Sequence, residues 1–122
     1  MEQYTKIPVK AIVRFDASED TATVVDLELS VKPSPGDKIK FGRETSIPDD
    51  AMNYFVTALS RREELLKKSP LGRFLGSEAT EWHRRIQLAM RLARWSVIET
   101  VITPDYLIAE LVFIDFYLHD DF

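Results

Sequence analysis

Between Ile7 and Phe15 the apolar side chains Ile7, Val9, Ala11, Val13 and Phe15 take every second position, and Pro8, Lys10, Ile12 and Arg14 fill the places between them. A period of two belongs to extended chain, whose successive side chains point to opposite faces, so the segment predicts a strand with one buried face. Pro8 cannot donate to a hydrogen-bond ladder, which places it at a sheet edge or at the start of a strand. After the polar turn Ala17-Ser18-Glu19-Asp20, the pattern returns with Val25, Leu27, Leu29 and Val31 set against Val24, Asp26, Glu28 and Ser30. Two alternating segments joined by a short polar turn read as an antiparallel hairpin.

The stretch Pro33-Ser34-Pro35-Gly36-Asp37 is dense in turn formers, and Lys38 to Phe41 predicts a short third strand. Ser46, Pro48 and Asp49 then give a helix start, because a serine oxygen and an early carboxylate satisfy orphan amide donors. Met52, Phe55, Ala58, Leu59, Leu65 and Leu66 recur at helical spacing, which predicts a helix to about Lys68. A connector rich in breakers, 69–76, leads to a second helix capped by Ser77 or Thr80 and running to about Trp95, with Trp82, Ile86, Ala89, Met90 and Ala93 on one face. Val97, Ile98, Val101 and Ile102 are β-branched, and Thr103-Pro104-Asp105-Tyr106 fits a turn. Leu107 to Leu118 is almost continuously apolar and rich in Phe, Ile and Val, a composition that favours a strand over the helix that Thr103-Pro104-Asp105 would also start.

Together these elements predict one α+β domain over residues 1–122: an antiparallel sheet, made of the N-terminal hairpin plus C-terminal strands, packed against a two-helix hairpin. A chain of 122 residues with 45% hydrophobic and 30% charged side chains is long enough to close one core. It has no cysteine, which removes disulfides, thiolate metal sites and a cysteine nucleophile together. The N-terminus lacks the basic and apolar regions of a signal peptide, and no apolar run is long enough to cross a bilayer, so the expectation is a cytoplasmic protein without membrane contact.

The net charge of −4 argues against general attraction to nucleic acid or anionic lipid. Its distribution is uneven: residues 1–60 carry seven Lys/Arg against ten Asp/Glu, residues 61–94 nine against four, and residues 95–122 none against six. A basic middle between acidic flanks predicts charge pairing inside the fold, or else a surface that faces a partner.

Residues able to carry chemistry are few. The two histidines, His83 and His119, have no second ligand group in recognisable spacing, although His119-Asp120-Asp121 together could collect a cation. Asp49 and Asp50, like Glu63 and Glu64, are neighbours that diverge by about a hundred degrees on a helix, so they read as surface charge. Ser60, Ser96 and Thr100 lack a nucleophile-elbow context, and the glycines at 36, 42, 72 and 76 form neither phosphate-cradling fingerprint. No cofactor or metal is implied.

Glu110 and Asp115 interrupt the most apolar stretch. An acid there needs a cation, a donor or water, so at least one is expected to pair with an Arg or Lys of residues 61–94, and their odd separation puts them on opposite faces of a strand. Arg84, Arg91 and Arg94, with Arg85 beside them, fall near one face of the second helix between Trp82 and Trp95, a pattern that could follow phosphates or stack bases. Phe113, Phe116, Tyr117 and Phe122 offer more aromatic surface than a small core absorbs. The function expected from these features is a non-enzymatic protein interaction module (an adaptor, inhibitor, assembly factor or chaperone-like subunit) that self-associates as a twofold dimer, with Arg84, Arg91, Arg94, Phe113, Phe116 and Tyr117 as partner-binding candidates. The alternatives are a nucleic-acid-binding protein using the Arg-rich helix, and a small enzyme with scattered acidic site residues.

Overall fold

In a computed structural model, which describes residues 6–68 and 79–116, the chain folds as β1 (Ile7–Arg14), β2 (Thr23–Leu29), β3 (Lys38–Ile39), α1 (Asp49–Ser60), α2 (Glu63–Lys68), α3 (Ala79–Leu92), β4 (Ala93–Ile102) and β5 (Leu107–Phe116). The five strands form one curled sheet in the order β2-β1-β5-β4-β3, so the α+β class holds, with the N-terminal hairpin and the C-terminal strands in one sheet. The sheet is mixed and not wholly antiparallel. β1 and β5 run parallel, Ala11 opposite Ala109, while β1–β2, β4–β5 and β3–β4 are antiparallel. Parallel neighbours need a long crossover, and here the helices and the hairpin between β1 and β5 supply it. Pro8 lies at the start of β1, one residue before the ladder to β5 begins at Val9, so its missing donor costs no bond there.

One face of the sheet carries the core. Val9, Ala11, Val13 and Phe15 from β1 and the residue after it, Val25 and Leu27 from β2, Ala93, Trp95 and Val97 from β4, and Leu107, Ala109 and Leu111 from β5 meet Met52, Phe55 and Leu59 of α1 and Ile86, Ala89 and Met90 of α3. Trp95 sits at the centre, fully buried, with the rings of Phe15, Phe41, Phe55 and Phe113 at centroid distances of 5.9, 5.6, 6.5 and 5.6 Å. Among the described residues its indole N–H has no hydrogen-bond partner.

Three element boundaries differ from those the sequence predicts. The first helix is capped at Pro48, not at Ser46, and its first turn carries Asp49 and Asp50, which suit the positive pole of the helix. It also breaks at Arg61, where Arg62 turns back to give its guanidinium to the Ala58 carbonyl at 2.7 Å and so caps the end of α1. The second helix stops at Leu92 and the strand β4 begins at once with Ala93. Ala93 continues the apolar stripe of α3 and is buried equally well in the strand, so the helical period runs past the true boundary; Trp95, Val97 and Ile98 are the first residues that prefer extended chain. The segment Leu107–Phe116 is a strand, as its composition predicts. The connector 69–76 and the residues Tyr117, His119 and Phe122 lie outside the described residues.

The turn formers at 33–37 build a tight turn in which the Asp37 N–H donates to the Ser34 carbonyl at 3.0 Å, with Pro35 second and Gly36 third at φ 95°. That left-handed value is one only glycine adopts without strain. The Asp37 carboxylate accepts from the Ser34 N–H at 2.8 Å, and the turn then grips β4: the Gly36 N–H donates to the Val97 carbonyl, and the Val97 N–H to the Asp37 carbonyl, both at 2.8 Å.

Candidate interaction surface

Among the described residues the helices cover only one face of the sheet, which leaves the other face and the sheet rim as candidate surface. Residues on the uncovered face follow from the alternation: Lys10, Ile12 and Arg14 on β1, Val24, Asp26 and Glu28 on β2, and Ile108, Glu110 and Val112 on β5. The registers place Ile12 between Val24 and Glu110, and Lys10 between Asp26 and Ile108. The result is a mosaic in which short apolar stretches are broken by charges.

Two irregularities change what this face carries. In β5, Arg94 pairs with Asp115 and Trp95 with Phe113, so Ile114 is an extra residue; in β4, Val97 pairs with Leu111 and Glu99 with Glu110, so Ile98 is extra. Each extra residue resets the alternation. Phe113 and Phe116 can therefore both face the core, and Glu110 and Asp115 both reach the uncovered face, where uninterrupted alternation would have separated them.

Both acids are paired. Glu110 accepts from Arg14 at 3.3 Å, a partner on the neighbouring strand and not in residues 61–94. Asp115 takes a two-pronged contact from Arg94, 2.6 Å from Nε and 2.5 Å from a terminal nitrogen, and its partner does come from the basic middle block. The hydrogen bonds from Arg94 hold the Asp115 carboxyl below the usual aspartate range against the opposing effect of burial.

The three candidate arginines do not share one helix face. Arg84 is exposed on α3. Arg91, at the end of α3, gives its guanidinium to the Gly42 and Thr45 carbonyls at 3.3 and 3.4 Å and ties the segment before α1 to the helix. Arg94 stands in β4, and Trp95, expected at the rim of a stacking platform, is the centre of the core. Phe113 stacks on Phe15 at 4.7 Å and Phe116 meets Phe55 edge-on at 6.2 Å, so both half-buried rings spend much of their surface on the core. The side chains of Trp82 and His83, and Tyr117, lie outside what is described.

The sequence gives no sign of a second polar cluster, at the join between the β1–β2 turn and α1. The Tyr54 hydroxyl accepts from the Phe15 N–H at 3.2 Å and donates to Glu19 at 3.1 Å, and Glu19 forms an ion pair with Arg62, whose guanidinium also lies 5.1 Å from the centre of the Phe15 ring. Burial pushes the Tyr54 hydroxyl above the ordinary tyrosine value. Residues 35 to 47 positions apart in the chain meet here, and only the hairpin's return towards α1 brings them together.

Among the described residues, no group of three or more His, Asp or Glu is placed to hold a metal ion. A cleft of 560 Å³ opens between the start of β1, the end of β2 and the turn at Asp105 and Tyr106, and the cleft at Tyr54 and Arg62 measures 260 Å³. Neither contains Glu110 or Asp115. Among the described residues no helix is long and apolar enough to cross a membrane.

What distinguishes the surface is exposed aliphatic area. Val24 is 47% exposed, Ile98 48%, Val101 47% and Ile102 68%, all on the uncovered face or rim of the sheet. Comparison with protein-family models, curated proteins and solved structures gave no match.

Proposed function

We propose that this chain is a non-enzymatic interaction module of the cytoplasm that works by presenting the uncovered face and rim of its sheet to protein, and that it self-associates as a twofold dimer. The observation that carries this reading is the run of exposed Ile98, Val101 and Ile102 at the rim of a sheet whose Val101 face, among the described residues, no second layer covers. Aliphatic side chains held in a rigid strand gain by excluding water against another protein, and a monomer that kept them wet would forgo that gain. The charges on the same face favour protein over nucleic acid. Asp26, Glu28, Glu99, Glu110 and Asp115 outnumber Lys10, Arg14 and Arg94, and both Arg14 and Arg94 already hold carboxylates. A phosphate backbone would meet net negative charge there.

Light scattering coupled to size exclusion, from low to high micromolar protein and in low and high salt, tests the self-association. A mass that rises to twice the chain mass supports it, and a strictly monomeric mass throughout refutes it. Cross-linking in native extract, comparing the wild-type chain with Ile12→Lys/Val24→Lys, tests the face: loss of the cross-linked species in the variant is the expected result.

A further inference from the structure

We infer that Ile98–Ile102 of β4 pairs antiparallel with the same five residues of a second copy, across a twofold axis that passes Thr100 perpendicular to the sheet, so that the two sheets become one. This rests on the self-association proposed above and names its interface.

The backbone supplies the first reason. β4 is ten residues long and its outer neighbour β3 only two, so the ladder on that side holds only Trp95 and Ser96, and the grip of Gly36 and Asp37 adds Val97. Past Val97 the strand continues to Ile102 with β5 on one side and, among the described residues, no strand on the other. Every second residue there directs its N–H and C=O outward, as a template for another strand.

The side chains supply the second. Exposed edges are ordinarily protected by Lys, Arg or Pro, yet none stands between Trp95 and Thr103, and the only charge is Glu99. The other rim, β2, carries exposed Asp26 and Glu28, which self-pairing would bring close to their own copies. On β4 a twofold at Thr100 sets each Ile98 beside the other copy's Ile102, Thr100 beside Thr100, and each Glu99 opposite Val101. The like charges are thus never directly opposed, and three of the chain's exposed aliphatic residues lose water together.

The length of the gap is the third. Under this register the residue opposite Val97 of one copy is Thr103 of the other. The β4–β5 turn begins at Thr103, closed by the Thr103 N–H to the Tyr106 carbonyl at 2.9 Å, so the chain leaves the lane where the second copy's Asp37 grip begins. A free lane of five residues meets an equal one. Roughly four to six backbone hydrogen bonds form across it, and so short an edge predicts a weak dimer, in the micromolar range.

Two variants test the interface. Ile98→Lys/Ile102→Lys replaces exposed residues and adds the missing edge charges; its dissociation constant by sedimentation equilibrium is expected to rise at least tenfold while circular dichroism and the thermal midpoint stay as in the wild type. Because the chain has no cysteine, Thr100→Cys gives a single thiol at the axis. It is expected to oxidise to a covalent dimer at low micromolar concentration much faster than Val24→Cys on the β2 rim. A wild-type chain that is monomeric at every concentration overturns both this inference and the self-association. A dimer that persists in the lysine variant, with Thr100→Cys cross-linking no faster than Val24→Cys, overturns the edge alone. Should the lysine variant fail to fold, the comparison of the two cysteine variants still decides.

Discussion

Removal of Asp115 is expected to cost more than removal of Asp115 and Arg94 together. The two side chains meet across β5 and β4 in a two-pronged contact that fixes both planes, the geometry in which a guanidinium and a carboxylate interact most strongly. Exposure limits the magnitude. The side chains are 31% and 45% accessible, so most of the Coulomb attraction is screened, and the coupling is expected at about 1 kcal/mol, the upper end of what exposed pairs give and well below the loss of a buried pair. In Asp115→Leu the guanidinium of Arg94 is left with water and its other contacts beside an added apolar group; in Asp115→Leu/Arg94→Leu two aliphatic side chains pack across the same rung. Urea unfolding of the wild type, both single variants and the double variant measures the difference, provided the slope of free energy against urea stays constant.

The same pair sets a pH dependence whose sign follows from Asp115. Its carboxyl titrates lower in the folded chain than in the unfolded chain, so the stabilisation is complete above the unfolded value of about 4 and disappears as the pH falls through the folded value. The coupling measured at pH 7 is therefore expected to shrink as the pH is taken below about 4. Additive single variants at pH 7, or a coupling that does not change with acid, would refute the reasoning.

Replacing Gly36 by Ala forces a side chain into the left-handed region and is expected to lower stability by about 1–2 kcal/mol, read from the urea midpoint, although nothing within 4 Å would touch the added methyl. Tyr54→Phe removes the hydroxyl that links Phe15 and Glu19 and is expected to cost about 1–2 kcal/mol at neutral pH. The Tyr54 hydroxyl titrates higher in the folded chain, so unfolding releases its proton at high pH, and the wild type is expected to lose stability above about pH 10 more steeply than Tyr54→Phe. Arg84→Gln/Arg91→Gln is expected to leave nucleic-acid binding absent at low salt, as in the wild type, by fluorescence anisotropy with labelled duplex and single strand; salt-sensitive binding lost in the variant would restore the nucleic-acid reading.

The parts of the fold legible in the sequence are those where one period runs without interruption. The alternations at 7–15 and 24–31 give β1 nearly to the residue and β2 up to Leu29, where the strand ends two residues before the pattern does, because a face set against helices tolerates no slip. The turn at Ser34–Asp37 is legible because its glycine is needed for a backbone angle. What one chain does not display is the partner of each strand. That β1 runs parallel to β5 depends on contacts about a hundred residues apart, and the basic face expected on the second helix dissolves because Ala93 fits a helical stripe and a buried strand equally. The need of Glu110 or Asp115 for a cation from residues 61–94 is legible in the sequence, and Asp115 has one in Arg94. Arg91 was not foreseeable in its role, since its partners are backbone carbonyls that leave no trace in side-chain patterning.

The two extra residues in β4 and β5 tie these points together. If Ile114 kept its place in a regular ladder instead of bulging out, alternation would turn either Phe113 or Phe116 out of the core, and Asp115 would face inward among aromatic rings, where an unpaired carboxylate costs several kcal/mol. Because Ile98 is bulged out of the ladder, Val97 and Glu99 sit opposite Leu111 and Glu110, which are adjacent in β5. The first irregularity keeps the aromatic core closed and leaves Asp115 beside Arg94. The second falls immediately after the last residue that the β3 side grips, so the strand that emerges from it carries Glu99 and Val101 on the uncovered face and, among the described residues, has no strand on its outer edge. The same local insertion thus ends one ladder and presents the edge on which another can form. Ile98 is itself the extra residue and is half exposed, which makes its replacement by Lys a test of the edge that leaves the core side of β4 untouched.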